Sequence, residues 1–328
     1  MSAAATTTGR VRARIGGRGA ASLNPGLVVA LGIIFVALSV ISPYFFTADN
    51  ILNIAKAVTV VGTASAGETV VIISGGFDLS VGSTMAAAGM LAAWSLEVGA
   101  PIPLAFVAAM GLGVVIGLVN GTIISYFHIN PLITTLGTLA IVRGLAFVIS
   151  GGREIVISDQ AWLELGTGEL LVIPFIVLIG LATFLVIGWS MPRTPFGRYA
   201  YAIGSNTRAA RLAGIAVDRW RLAFYIVCGA TAALSGLILT ARTGSARPSA
   251  AVGFELDVIT AVILGGASLS GGRGSVWGTL VGLLLIGVIN NGLTLAQVPA
   301  FWQQVVKGVI LLSAVLYDEL RRHRRDDT

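Results

Sequence analysis

The residues of this chain best suited to chemistry are polar and charged groups set inside otherwise apolar sequence. Lys56, Glu68, Arg143, Glu255, Asp257 and Lys307 fall within or beside long apolar runs. Asp78 stands in a polar, Gly-rich break, Val70-Val-Ile-Ile-Ser-Gly-Gly-Phe-Asp-Leu-Ser-Val-Gly-Ser-Thr84. An ionised group or an unpaired backbone amide in hydrocarbon is costly, so each must pair inside protein or face a water-filled path. The chemistry this supports is passage of a polar solute, not bond-making, because no paired catalytic constellation accompanies these residues. The single cysteine, Cys228, lies in an apolar segment and reads as a packing residue. The two histidines, His128 and His323, are far apart, so neither a disulfide nor a His-based metal site is expected.

Each charge also has a structural reading. Arg143 is expected to pair with Glu68. Asp78 precedes a new helix and is expected to cap its N-terminus. Lys56 and Lys307 lie near helix ends, where long side chains reach the headgroups. Glu255 and Asp257 sit at the outer start of a helix, where acids suit the macrodipole.

The elements that must position these groups are membrane helices. The chain has 328 residues, 55% hydrophobic and 11% charged, with a mean hydropathy of +0.90. Soluble domains carry about 25% charged residues, so a soluble class is excluded. A spanning helix takes roughly 20 apolar residues, which leaves room for about ten. The candidate segments are 27–46, 51–74, 81–98, 102–125, 131–149, 171–190, 222–241, 254–266, 275–297 and 301–319. The first is long for a signal peptide and lacks a small-residue cleavage site. The eighth is too short to span unaided and leads into a second break, Gly265-Gly-Ala-Ser-Leu-Ser-Gly-Gly-Arg-Gly274, so a broken or re-entrant helix is expected there. The 42 glycines suit close helix packing in lipid.

Charge sets the orientation. The net charge of +6 comes from arginines at the ends of apolar runs. They cluster in residues 1–26, read as a disordered basic N-terminus, in the segment 193–221, and in the tail 321–328. With ten helices all three clusters fall on one side, the cytoplasm by the positive-inside rule. The acidic loop 150–170 falls outside. Residues 27–320 then form a single transmembrane domain.

Two internal similarities suggest a repeat. Ile73-Ser-Gly-Gly-Phe-Asp-Leu-Ser80 is matched by Ile263-Leu-Gly-Gly-Ala-Ser-Leu-Ser270, and Gly117-Leu-Val-Asn-Gly121 by Gly287-Val-Ile-Asn-Asn-Gly292. Paired broken segments in two halves are a transporter signature. Between the halves, the basic segment holds a short helix that Ser205 or Asn206 can cap and Gly214 can end. Leu212 and Ile215 are expected to pack inward while the arginines face out. Such a helix either rests on anionic headgroups or docks a cytoplasmic protein.

At these motifs the chain resembles a known family. Gly75-Gly-Phe-Asp-Leu-Ser-Val-Gly82, the segment from Gly204-Ser-Asn206 to Gly214-Ile215, the run Leu264 to Gly274, and Asn290-Asn-Gly292 with Leu295 are similar to the permease subunit of ribose-type ABC importers. The resemblance covers about 27–320. It implies an all-α polytopic fold of BtuC-like type II ABC importer permease architecture. It also implies a cytoplasmic ABC ATPase that binds ATP and Mg, a sugar-binding protein, and a second permease chain, identical or related. No phosphate loop is present, so the chain itself should bind no nucleotide and be no enzyme.

The resemblance further assigns ATPase coupling to Gly204, Asn206, Arg208, Ala209, Ala210, Arg211, Gly214 and Ile215. The related signature Glu-Ala-Ala-x-x-x-Gly appears as Arg208-Ala209-Ala210-x-x-x-Gly214, with arginine in place of the glutamate. A sugar path needs weakly binding amides and hydroxyls. Candidates are Glu68, Asp78, Asn120, Asn130, Thr134, Asn290 and Asn291, with Asn53 and Thr59 beside them. Glu255 and Asp257 are candidates for docking the binding protein. Two rival readings stand: an ion-coupled secondary transporter, for which Glu68 is the strongest ion-site candidate, and a branched-chain amino-acid permease of the same superfamily.

Overall fold

The computed structural model describes residues 25–326. The segment read as a basic N-terminus lies outside the described residues except at its end, where Pro25 opens the first helix; the side chains of the tail arginines lie outside them too. The helices are α1 (Pro25–Ile41), α2 (Ala48–Ile73), α3 (Val81–Glu97), α4 (Ile102–Tyr126), α5 (Pro131–Ser150), α6 (Gln160–Thr167), α7 (Phe175–Arg193), α8 (Pro195–Ser205), α9 (Thr207–Leu212), α10 (Val217–Thr243), α11 (Phe254–Leu264), α12 (Val276–Leu295) and α13 (Ala300–Asp326). Four two-residue strands, β1 (Ile155–Val156), β2 (Glu169–Leu170), β3 (Ile173–Pro174) and β4 (Ser245–Ala246), pair as β1–β4 and β2–β3, both antiparallel.

Every apolar segment read from the sequence coincides with a helix, but the helices differ in reach. Among the described residues six are long and apolar enough to cross a membrane: α2, α4, α5, α7, α10 and α12. The first helix stops at Ile41, short of the expected Phe46, because Pro43 disfavours helix at Ser42. α11 has 11 residues, about 16 Å at 1.5 Å per residue. The basic segment holds two helices, α8 and α9, where one was expected, and the loop 150–170 contains α6 and paired strands.

α2 is the axis of the fold. Of its most apolar stretch 83% is buried, against 22% for α5. α10 packs against α2, α3 and α4. Glycines at four-residue spacing on α4 make that approach possible. A Cβ on Gly117 would run into the Tyr225 carbonyl oxygen, and one on Gly113 into that of Gly229. Small residues let two backbones touch where lipid offers no hydrophobic drive for association. α12 lies on the opposite side of α2, joined by the Thr69–Thr279 hydroxyl pair at 2.9 Å.

The two ends of the bundle differ. The basic end carries α8, α9 and both Gly-rich breaks. At the far end β1 pairs with β4, Arg153 meets Glu97 at 2.7 Å, and Arg247 meets Glu154 at 2.9 Å. From β4 the chain turns back into the bundle, and Arg143 of α5 donates to the carbonyls of Pro248 at 2.9 Å and Ala250 at 2.6 Å.

Candidate functional site

The two Gly-rich breaks, 75–80 and 265–275, lie together, and the end of α8 lies between them. Gly272 N–H donates to the Ile73 carbonyl at 2.8 Å. A Cβ on Gly271, whose φ is +80°, would come within 2.8 Å of Gly75 Cα. Gly204 is packed so tightly that any Cβ would overlap the Ile73 carbonyl oxygen. Three motifs spread over about two hundred residues thus share one contact, and only glycine fits at each of its three sides.

α9 then projects outward. Asn206 Oδ1 accepts from Ala209 N–H at 2.9 Å and caps its start. At its end the N–H of Ile215 returns to Ala210 at 3.1 Å and Gly214 takes φ +81°, a Schellman close. Both caps agree with the sequence. Ala210 is buried and Ile215 packs on the core, but Leu212 is 85% exposed. The expectation that Leu212 packs inward is therefore corrected: a helix of six residues has one inner face, and Ala210 occupies it. Arg208, Ala209, Arg211 and Leu212 make the exposed side. Arg211 pairs with Asp218 at 2.7 Å.

Above this contact the first break is held by a buried polar network. Glu68 Oε1 accepts from Asp78 N–H at 3.1 Å, and the Cys228 thiol donates to Glu68 Oε2 at 3.2 Å. Asp78 Oδ1 accepts from Ser80 N–H at 2.8 Å. Asn120 Nδ2 donates to Asp78 Oδ2 at 3.3 Å and to Ser80 Oγ at 3.0 Å, while its Oδ1 accepts from Thr138 at 2.6 Å. The Tyr225 hydroxyl accepts from Phe77 N–H at 3.1 Å and donates to the Phe77 carbonyl at 3.0 Å. Irregular backbone at membrane depth is tolerated where protein satisfies it, and here α2, α4, α5 and α10 do so.

Two expectations fall. Arg143 does not pair with Glu68. α2 descends to the basic end and α5 ascends from it, so Glu68 lies about 8 Å above Ile73 and Arg143 about 18 Å above Pro131, at 1.5 Å per residue. Asp78 does not cap α3 either. The N-cap is Ser80, without a side-chain bond, and Asp78 folds onto Ser80 in an Asx turn.

The other candidates lie apart. Asn130 caps α5 through Leu132 N–H at 2.8 Å and borders a cavity at the basic end, and Thr134 bonds back to the Asn130 carbonyl at 3.1 Å. Asn291 exchanges hydrogen bonds with Asn50 at 2.8 and 3.0 Å, which ties α12 to α2. Asn290 faces a small cleft with Asp257 and Lys307. Asp257 is buried and pairs with Lys307 at 2.7 Å, so Lys307 does not reach for the headgroups. Glu255 Oε1 accepts from Gly253 N–H at 3.2 Å. The structure thus joins Glu68, Asp78 and Asn120 in one network and leaves the remaining candidates elsewhere.

The sequence reading missed Ser80, Thr138 and Tyr225 in this network. Tyr225 and Phe77 are 148 positions apart, and no local pattern links them. Among the described residues no group of three or more His, Cys, Asp or Glu stands close enough to hold a metal.

The chain matches the family described as "Branched-chain amino acid transport system / permease component" over residues 50–315. It is 41% identical to the ribose import permease protein RbsC of Haemophilus influenzae over 88% of this chain and 91% of that one. It is 39% identical to RbsC of Escherichia coli K12 over 90% and 93%. It is 36% identical to the L-arabinose ABC transporter permease protein AraH of Azospirillum brasilense over 92% and 88%. No solved structure matches the chain.

Proposed function

Because the chain belongs to the branched-chain-type transport permease family, we propose that it is the membrane subunit of an ABC importer that brings a monosaccharide, ribose-like first, into the cell. The observation that carries this reading is the kinship with pentose permeases, at 36–41% identity over about nine tenths of the chain. The family description also covers branched-chain amino acids, and the pentose relatives favour the sugar. The chain is a transport subunit without an ATPase site of its own.

In this reading the ten apolar helices cross or enter the membrane in a type II permease arrangement, and the basic end faces the cytoplasm with both termini. Four exposed groups on α9, Arg208, Ala209, Arg211 and Leu212, meet the ATPase, which binds the ATP and Mg. The contact of Gly204 with Ile73 and Gly272 supports a coupling role, since a push on α9 is delivered directly to both breaks. A second permease chain completes the path. The binding protein docks at the far end, where β1 pairs with β4; Glu255 and Asp257 lie deeper, with Asp257 buried against Lys307, and do not form that surface.

The test is uptake of radiolabelled ribose into proteoliposomes holding the chain, its ATPase and the binding protein. Uptake that needs ATP inside and is indifferent to a Na⁺ or pH gradient is expected. Gradient-driven uptake without ATP would favour a secondary transporter.

A further inference from the structure

A cavity of about 360 Å³ opens at the basic end, inside the usual size range of small-molecule sites. Its walls come from five places: the turn Ser74–Gly76, Ile124 of α4, the α4–α5 connection at His128–Pro131, Thr207 and Arg211 of α9, and Arg221 and Tyr225 of α10. No carboxylate lines it. Arg221 is half-buried, donates to Thr207 Oγ1 at 2.9 Å, and forms no ion pair among the described residues. Arg211 stands beside it, partly neutralised by Asp218. The first turn of α5 borders the same space, so the positive end of a helix of 20 residues adds to the field. A half-buried guanidinium that forms no ion pair of its own, at a positive helix end, is chemistry that suits a phosphate group. The Asn130 side-chain amide nitrogen, whose Oδ1 is spent on Leu132 N–H, and the His128 ring border the space and supply polar partners for a sugar.

We propose that this cavity is a second ligand site, for a phosphorylated monosaccharide reaching it from the basic end, and that its occupancy slows transport. The choice of sugar rests on the import function proposed above; the phosphate chemistry does not. A ligand here touches α9, the first break and Tyr225, whose hydroxyl holds Phe77, so it bridges the elements through which coupling must pass. Phosphoryl transfer from a nucleoside triphosphate to a hydroxyl of the imported sugar, releasing the nucleoside diphosphate, would supply the ligand, and the site would then report product back to the permease. A lipid headgroup carries the same phosphate chemistry, and the experiment separates the two.

The assembled transporter in zwitterionic nanodiscs is titrated with ribose 5-phosphate, ribose and inorganic phosphate by calorimetry. ATP hydrolysis stimulated by ribose and the binding protein is followed in the same preparation. Ribose 5-phosphate is expected to bind and to inhibit, inorganic phosphate to compete weakly, and ribose to do neither. Arg221→Gln should weaken binding and inhibition together by about tenfold, equivalent to about 1.4 kcal/mol. Ile129→Glu places a carboxylate at an exposed position on the rim and should do the same; it serves if Arg221→Gln does not assemble. Absence of binding, or binding unchanged in both variants, overturns the inference. So does loss of binding in anionic-lipid nanodiscs that both variants relieve, which would assign the site to a headgroup. If ribose fails to stimulate hydrolysis, the import function fails, and the binding titration still decides the site.

Discussion

Gly204, in the last turn of α8, lies directly against the carbonyl of Ile73 at the end of α2, with room for no side chain between them. Gly272 N–H donates to that same carbonyl at 2.8 Å. The basic segment is therefore anchored in the packed core where the two breaks meet, and α9 projects from it.

Gly204→Ala should insert a methyl where the neighbours are backbone and cannot step aside. Overpacking of this kind costs about 1–3 kcal/mol. A fall in thermal stability of the purified chain with loss of ribose-stimulated ATP hydrolysis is expected. Gly111→Ala, where a Cβ meets nothing within 4 Å, is the control and should be neutral or slightly stabilising.

The exposed side of α9 should carry ATPase affinity and little stability. Burying a leucine is worth about 1.5–3 kcal/mol, so Leu212→Ala should weaken the ATPase complex roughly tenfold or more while leaving the melting temperature unchanged. Reversing charge at Arg208 and Arg211 should do the same. Unchanged copurification of the ATPase from all these variants would remove the coupling role from α9.

Glu68 acts here as a hydrogen-bond acceptor for the first break. Glu68→Gln keeps an oxygen for Asp78 N–H, and ATP-driven uptake should persist. Glu68→Ala leaves a buried donor unpaired, which costs about 1–3 kcal/mol, so its melting temperature should fall clearly further. Loss of a Na⁺- or pH-dependent flux in the Gln variant would instead make Glu68 an ion site.

Asp257 and Lys307 join α11 to α13 through a partly buried pair. Lys307→Met alone should destabilise by about 3–5 kcal/mol, because it leaves a buried carboxylate unpaired. Adding Asp257→Asn should restore part of that loss, and a double-mutant cycle by thermal unfolding measures how much.

At the far end, hydrogen bonds from Ser245 and then Arg247 hold the Glu154 carboxyl below the usual carboxylate range. A depressed folded value gives stability that is present above the unfolded value and lost as pH falls through the folded one. The β1–β4 closure should thus survive at neutral pH and loosen on acidification. Exchange of the Ile157 amide, bonded to Gly244 at 2.9 Å, reads this directly. Arg247→Gln should move the loosening to higher pH.

What the sequence made legible was local. The caps of α9 follow from Asn206 and Gly214 alone, and the apolar segments mark the helices. What it hid was set by depth and by distant partners. Two opposite charges in apolar runs suggest an Arg143–Glu68 pair, but the rise along oppositely directed helices separates them. Asp78 looked like a cap because its partners Glu68 and Asn120 come from other helices. Helix count was legible as apolar segments but not as spans: the short α11 reads as broken, whereas α1 and α3, at 17 residues each, also stop short of a full span.

The central claim is that this chain moves sugar with energy from a partner ATPase. The most direct measurement is purification of the tagged chain from its native membrane in mild detergent, with mass spectrometry of what accompanies it. A stoichiometric ATPase carrying a phosphate-loop motif, lost on reversing charge at Arg208 and Arg211, is the result predicted. A chain that emerges alone, under conditions that keep a known ABC importer intact, would contradict the account.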